Sequence, residues 1–165
     1  MKGDREGTPR VILDCMVLLQ AARRRHSPSL GCLELAEEGA AEMFFSHVTF
    51  AEIAGVMRRP AVQQRFPELQ AAGVAEQFLI GLRSAARLVD DVAPRIVLSR
   101  DPKDSPYLDL AIGVGADYLV TRDKDLLTLG TDDSAEAREF RRLLPGCRIV
   151  EPVDFLRYMN ESRPA

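Results

Sequence analysis

Short apolar runs alternate with longer helix-forming stretches along this chain. Arg10-Val11-Ile12-Leu13-Asp14 is apolar, ends on an acid, and predicts a buried strand. Val17 to Arg25 predicts a helix, closed by the basic run Arg23-Arg24-Arg25-His26. Ser27-Pro28 predicts a fresh helix start, with Ser27 as N-cap and Pro28 in the first turn, running to about Glu38 and stopping at Gly39. Met43 to Ser46 predicts a second strand. Thr49 to Arg58 predicts a helix stopped by Pro60, with a short helix near Ala61 and a longer one over Leu69 to Ala85. Between Arg87 and Arg100, Leu88-Val89 and Ile96-Val97-Leu98 each read as a short strand, separated by Pro94. Leu108 to Val114 predicts the apolar part of a helix ending at Gly115. Tyr118 to Thr121 predicts a buried strand, and Lys124 to Leu129 a short turn or helix. Gly130 to Glu136 predicts a polar loop. Arg148-Ile149-Val150 predicts a last strand, and Pro152 opens a closing helix with Phe155, Leu156 and Met159 on one face.

Strands that alternate with helices predict an α/β fold, a parallel sheet covered on both faces. No repeat or low-complexity tract interrupts the 165 residues, a length suited to one domain with a real core. The expected organisation is a loose tail over residues 1–9, a single domain over 10–160 and a C-terminal tail over 161–165. The polar N-terminus lacks the apolar centre of a secretory signal, and no apolar run reaches the roughly 18 residues of a membrane span. Cys15, Cys32 and Cys147 form no Cys-x-x-Cys pair, and with only His26 and His47 a zinc cluster has little support. An odd cysteine count fits a reducing, cytoplasmic setting, with all three thiols expected in the interior.

The acids carry the candidate chemistry. In open α/β sheets, ligand sites form beyond the carboxyl ends of the strands. Asp14 directly follows the first strand, and Asp123 follows the Tyr118 strand by two residues. Glu52 lies early in the helix after the second strand, and Asp104 begins the helix leading into the Tyr118 strand. Four acids from four segments can therefore converge on one cleft. Crowded carboxylates raise one another's pKa unless a cation compensates, and Mg²⁺ or Mn²⁺ suits an all-oxygen site. Such a cation activates water and stabilises charge on phosphoryl oxygens. No Ser-His-Asp or Cys-His arrangement offers other chemistry, and the two histidines give no support to a His-His ribonuclease.

Each acid has a plainer use. Asp14 suits an N-cap, Glu52 a solvated helix face, Asp101-Pro102-Lys103-Asp104 a turn and helix start, and Asp123 and Asp125 a turn. Four independent caps explain the joint pattern less well. A net charge of −3 looks wrong for a nucleic-acid enzyme, but of 25 acids the four candidates set aside leave 21, against 22 bases. Global charge thus neither supports nor excludes a phosphate-backbone substrate. Arg23, Arg24, Arg25, Arg58, Arg59, Arg122, Arg141 and Arg142 are available to phosphates, yet a charge run is more often a solvated face, and none is assigned. Aromatics at 6% and the absence of Trp argue against an extended base-stacking platform.

Asp101-Pro102-Lys103-Asp104-Ser105-Pro106-Tyr107-Leu108-Asp109-Leu110-Ala111, followed by Gly115-Ala116-Asp117-Tyr118-Leu119-Val120-Thr121-Arg122-Asp123-Lys124-Asp125-Leu126-Leu127, resembles the PIN-domain family. The likeness is to its toxin-like, VapC-like branch of prokaryotic toxin–antitoxin systems. Val11 to Asp14 resembles the family's opening strand and first acid, Phe45 to Ile53 the segment bearing its Glu, and Ile149 to Leu156 its closing strand and helix. The resemblance covers nearly all of the chain after residue 10. It implies a three-layer α/β/α domain with a central parallel sheet, Mg²⁺ or Mn²⁺, hydrolysis of RNA, a homodimer and a small antitoxin partner. It implies Asp14, Glu52, Asp104 and Asp123 as catalytic metal ligands, Asp101 and Asp125 as secondary candidates, and a hydrogen-bonding Thr121. One departure stands out: the family's usual Asp-x-Asn is Asp14-Cys15-Met16 here, and a thioether cannot replace an amide's hydrogen bonds.

Three other readings compete. Met16 favours a catalytically weak PIN-like module that binds RNA or protein. A phosphatase using Asp14 as nucleophile wants a second Asp where Met16 stands, and a phospho-acceptor domain wants an acidic pair and a placed Lys that are missing. An adaptor without a site leaves the four acids as coincidence.

Overall fold

The computed structural model describes residues 7–99 and 101–163. The expected tails, residues 1–9 and 161–165, and the segment end at Arg100 therefore fall partly outside the described residues. Strand alternation organises what is described. Val11, Leu13, Met43, Phe45 and Val120 point to one face of the sheet, while Ile12, Phe44 and Leu119 point to the other. Successive strand side chains face opposite ways, so runs buried on both faces must be continuously apolar. Fully burying one such side chain stabilises by about 1.5–3 kcal/mol.

The elements follow the order β1 (Arg10–Leu13), α1 (Cys15–Ala22), α2 (Pro28–Glu37), β2 (Glu42–Ser46), α3 (His47–Met57), α4 (Pro60–Arg65), α5 (Val74–Ala85), β3 (Ala86–Val89), α6 (Ser105–Val114), β4 (Tyr118–Val120), α7 (Lys124–Thr128), α8 (Ala135–Leu143), β5 (Arg148–Val150) and α9 (Pro152–Glu161). The sheet is fully parallel with strand order β3-β2-β1-β4-β5. Register pairs Val11 with Met43 and Tyr118, and Leu119 with Ile149. Side chains of α1, α2, α3, α5 and α9 cover one face, and those of α6, α7 and α8 cover the other. This is the expected three-layer α/β/α arrangement around a central parallel sheet.

Strand order reverses between β1 and β4. The chain first winds outward from β1 through β2 to β3, then crosses back to β4 on the other side of β1. Such a switch point opens a crevice at the carboxyl ends of the two strands. Asp14 and Asp123 follow those two strands.

Several expectations need correction. Ile96-Val97-Leu98 is not a strand, although buried Ile96 and Leu98 alternate with exposed Val97. Its amides are consumed by side chains: Arg95 N and Ile96 N donate to Asp109 Oδ1 at 2.7 and 3.0 Å, and Leu98 N donates to Ser105 Oγ at 2.9 Å. The helix expected over Leu69 to Ala85 is divided into a 3₁₀ turn, Pro67–Gln70, and α5, because Gly73 at φ 80° breaks the run. The polar loop after Gly130 is shorter than expected. Ser134 caps α8, accepting from Ala137 N at 3.2 Å, and that helix buries only a narrow stripe, Ala137 and Phe140. Only Cys32 is fully buried, while Cys15 and Cys147 are half-buried. Among the described residues no helix is long and apolar enough to cross a membrane.

Candidate metal centre

Asp14 leaves β1 and begins α1. Its Oδ1 accepts from Val17 N at 3.0 Å, so the plain capping role is real. Its Oδ2 is engaged separately, by the hydroxyl of Thr121. The Arg122 amide also serves this carboxylate. Burial lifts the Asp14 pKa above the ordinary value, and the Asp123 charge adds to the rise. The bonds from Thr121, Val17 and Arg122 oppose it. Thr121 therefore hydrogen-bonds within the site, as the resemblance implied.

Asp123 follows β4 and caps α7, its Oδ1 accepting from Asp125 N at 2.8 Å. Its own amide donates to Thr121 Oγ1 at 3.0 Å. One buried hydroxyl thus joins the ends of β1 and β4 across the switch point.

Asp104 behaves differently from the capping acids. It occupies the N-cap of α6 but makes no capping hydrogen bond. Its Oδ2 is buried and has no partner. Burial, followed by the charges of Asp123 and Asp101, pushes its pKa up to about 7. Carboxylate oxygens of Asp101, Asp104 and Asp123 all lie within 4.8 Å of one another. Asp101 reaches this group from a short turn, where it accepts from Lys103 N at 3.1 Å.

Glu52 sits on α3, half-buried. Burial raises its pKa, and the phenol of Tyr107 opposes the rise by hydrogen-bonding to the carboxylate. Tyr107 lies in α6, almost wholly buried, and its own pKa is raised by burial and then by the Glu52 charge. Asp14 and Asp101 are close enough to act electrostatically on Glu52. The beginnings of α1, α6 and α7 and the middle of α3 therefore deliver acids to one site.

The tightest group is Asp101, Asp104 and Asp123, with Asp14 and Glu52 beside it. Asp101 stands closer to Asp104 and Asp123 than its secondary rank suggested. Asp125 is not one of those three, and its amide supports Asp123. The donor set is all oxygen, which suits a hard divalent cation. A buried carboxylate oxygen without a partner is costly unless something occupies its lone pairs. The residues present fit such an ion on both grounds.

Sequence reasoning did not identify Tyr107 as the partner of Glu52. The available signal was a polar-tipped aromatic one helical turn beyond Asp104, on the apolar face of α6. The thiols are not nucleophile candidates: burial pushes Cys15, Cys32 and Cys147 up to about 12. Met16 is partly exposed beside the site, at 36%.

Residues 10–125 match the PIN domain. In structure the chain is similar to the crystal structure of PAE2754 from Pyrobaculum aerophilum, with a TM-score of 0.55 and 16% identity. That likeness covers 94% of this chain and 92% of the other, and concerns the fold. Among curated proteins, none matches this chain in sequence.

Proposed function

The chain belongs to the PIN-domain family, whose members are generally nucleases, and from that premise we propose that it is a metal-dependent endoribonuclease. The observation that carries this reading is the Asp101–Asp104–Asp123 group, together with the buried, unpartnered Oδ2 of Asp104. Asp14, Glu52, Asp104 and Asp123 act as ligands in this reading, with Asp101 joining them and Asp125 in a supporting place. Mg²⁺ or Mn²⁺ is the proposed ion. Bound there, it would supply a water activated for attack on phosphorus and positive charge for the phosphoryl oxygens.

The protein's own residues prepare the site. Thr121 and the Val17 amide fix the Asp14 carboxylate in one orientation. The phenol of Tyr107 favours the charged form of Glu52. Burial and neighbouring acids push the Asp104 pKa up to about 7, so a bound cation would compete with its proton. We further assign the chain to the toxin-like branch of the family, acting in the cytoplasm on RNA as a homodimer with a small antitoxin. The Asp101–Leu127 motif supports that finer assignment.

Calorimetry with Mn²⁺ tests the reading, comparing wild type with Asp14→Asn combined with Asp123→Asn, followed by RNA cleavage under the same conditions. Loss of both binding and cleavage in the double variant supports it. Absence of specific Mn²⁺ binding by wild type sinks it. A second reading, a weakened PIN-like module that binds RNA or protein, is favoured by Met16. Wild type that binds Mn²⁺ but leaves RNA intact would select it.

A further inference from the structure

Most of the arginines available to a phosphate backbone are engaged within the protein. Arg23 and Arg25 both pair with Glu68, at 3.3 and 2.9 Å, and Arg24 pairs with Glu37 at 2.9 Å. Arg58 faces Glu76 at 3.9 Å, and Arg142 holds Glu139 at 2.7 Å. Arg141 donates to the Leu129 carbonyl at 2.9 Å. The basic run after α1, the most conspicuous in the sequence, is thus largely neutralised by its own surroundings.

Arg59 and Arg122 differ. Among the described residues, neither has a carboxylate within ion-pair distance, and both are exposed. Arg122 lies between Thr121 and Asp123, and its amide serves Asp14. Its guanidinium donates to Gln20 Oε1 at 2.9 Å. The same oxygen accepts from the hydroxyl of Ser29, which is buried, at 2.8 Å. Gln20 on α1 is therefore anchored by Ser29 on α2 and aims the guanidinium without neutralising it. A carboxylate in that place would cancel the charge. A neutral amide oxygen leaves it, and four N–H donors, free for a ligand.

Arg59 is the second cation of this kind. It is the N-cap of α4, in the turn after α3, and its charge acts on Glu52 and Cys15. It follows α3, the helix after β2, whereas Arg122 follows β4, and β2 and β4 lie on opposite sides of β1. Asp14 lies at the end of the strand between them.

We propose that Arg59 and Arg122 are a two-sided clamp for the phosphates of a single-stranded RNA lying over the acidic centre, with Gln20 as the positioning residue for Arg122. The clamp rests on the RNA reading above and adds the residues that bring a polyanion onto a cluster of acids. Acids alone repel the backbone, and fixed cations at the flanks offset that repulsion and align the strand. Contacts of this kind position the chain and carry no base information.

The test is the salt dependence of binding to a short fluorescein-labelled single-stranded RNA, followed by anisotropy in EDTA so that the strand is not cut. Arg59→Ala and Arg122→Ala are each expected to reduce the slope of log affinity against log salt by about 0.7, the value for one single-strand phosphate contact. Each is expected to weaken binding roughly tenfold at moderate salt, equally for RNAs of different sequence. Arg122→Lys keeps the slope and loses part of the affinity. Gln20→Glu is expected to reproduce the reduced slope of Arg122→Ala with the arginine still present, an effect that a packing role for Gln20 does not produce. Thermal melting of every variant should match wild type. An unchanged slope in either alanine variant removes that arginine from the clamp, and wild-type binding without salt dependence removes the clamp altogether. If wild type cuts RNA with Mn²⁺ while the arginine variants bind like wild type, the clamp fails and the nuclease reading stands. If wild type binds RNA with the expected slopes but never cuts it, the nuclease reading fails and the clamp stands.

Discussion

The hydroxyl of Thr121 donates to Asp14 Oδ2 while accepting from the amide of Asp123 at 3.0 Å, with Thr121 itself fully buried. One side chain therefore sets the relative position of two acids that come from opposite sides of the topological switch. Thr121→Val preserves shape and removes both bonds. It should cost about 1–3 kcal/mol of stability, since two buried polar groups lose a partner. It should also weaken Mn²⁺ binding about 10–100-fold, the usual effect of losing an outer-shell partner. Urea unfolding and calorimetry measure the two quantities. A variant equal to wild type in both would make the Thr121 bridge incidental.

Asp104 predicts a conflict between stability and function. The folded chain holds its proton up to about pH 7, while the ordinary value is 3.8. Between those values the native state binds more protons than the unfolded chain. Metal-free stability should therefore fall as pH rises across that window. Asp104→Asn should flatten this fall, raise the melting temperature in EDTA above pH 7 by ~2–4 °C, and abolish stabilisation by Mn²⁺. Thermal melts at several pH values, with EDTA and with Mn²⁺, provide the check. A variant that melts below wild type in EDTA contradicts the account.

Metal uptake should depend on pH for the same reason. A cation must displace the Asp104 proton, so affinity should decline as pH drops below about 7 and level off above it. Calorimetry in buffers of different ionisation enthalpy will report proton release on Mn²⁺ binding near pH 6. Binding with no proton release would show that Asp104 is already ionised.

Asp109 fastens the segment that leads to Asp101. Its Oδ1 accepts from the amides of Arg95 and Ile96. Asp109→Ala should destabilise by about 1–3 kcal/mol and accelerate amide exchange over 95–99, whereas Asp109→Asn, which keeps an acceptor oxygen, should do much less. Hydrogen exchange read by mass spectrometry separates the two variants. Equal exchange in both would assign the fastening to other contacts.

Tyr107→Phe removes the hydroxyl that serves Glu52. The ring remains in the core, so the melting temperature should change little. Mn²⁺ affinity should fall about tenfold, at the mild end of outer-shell effects. A large loss of stability with unchanged affinity would give Tyr107 a packing role alone.

The sequence carried the order and type of nearly every element because local signals agreed with the final packing. The runs ending at Leu13, Ser46 and Val120 are apolar on both strand faces, as a covered parallel sheet requires. Ser27-Pro28 and Gly115 bound helices where their backbone chemistry places them. The same logic put Asp14 and Asp123 at one sheet edge, since strand direction determines where an acid after a strand emerges, and put Asp104 there because it opens the helix that leads back into β4. Helix α8 escaped notice because charged residues dominate it and leave few apolar positions, even though those it has, Ala137 and Phe140 among them, fall on one helical face.

What only the tertiary structure decided depends on groups distant in the chain. Ile96 to Leu98 alternates like a strand, yet Asp109 and Ser105 claim its amides before a sheet edge can. Asp101 joins Asp104 and Asp123 because α6 and α7 start side by side, which no spacing announces. Arg23 to Arg25 and Arg122 look alike as letters, and differ because Glu68 and Glu37 lie near the first three while neutral Gln20 lies near the fourth. Periodicity and turn chemistry act over a few residues, so the sequence by itself determined the elements and the edge to which the acids go. Charge pairing and hydrogen-bond satisfaction act across the fold, so only the assembled structure decided which acids meet and which cations stay unneutralised.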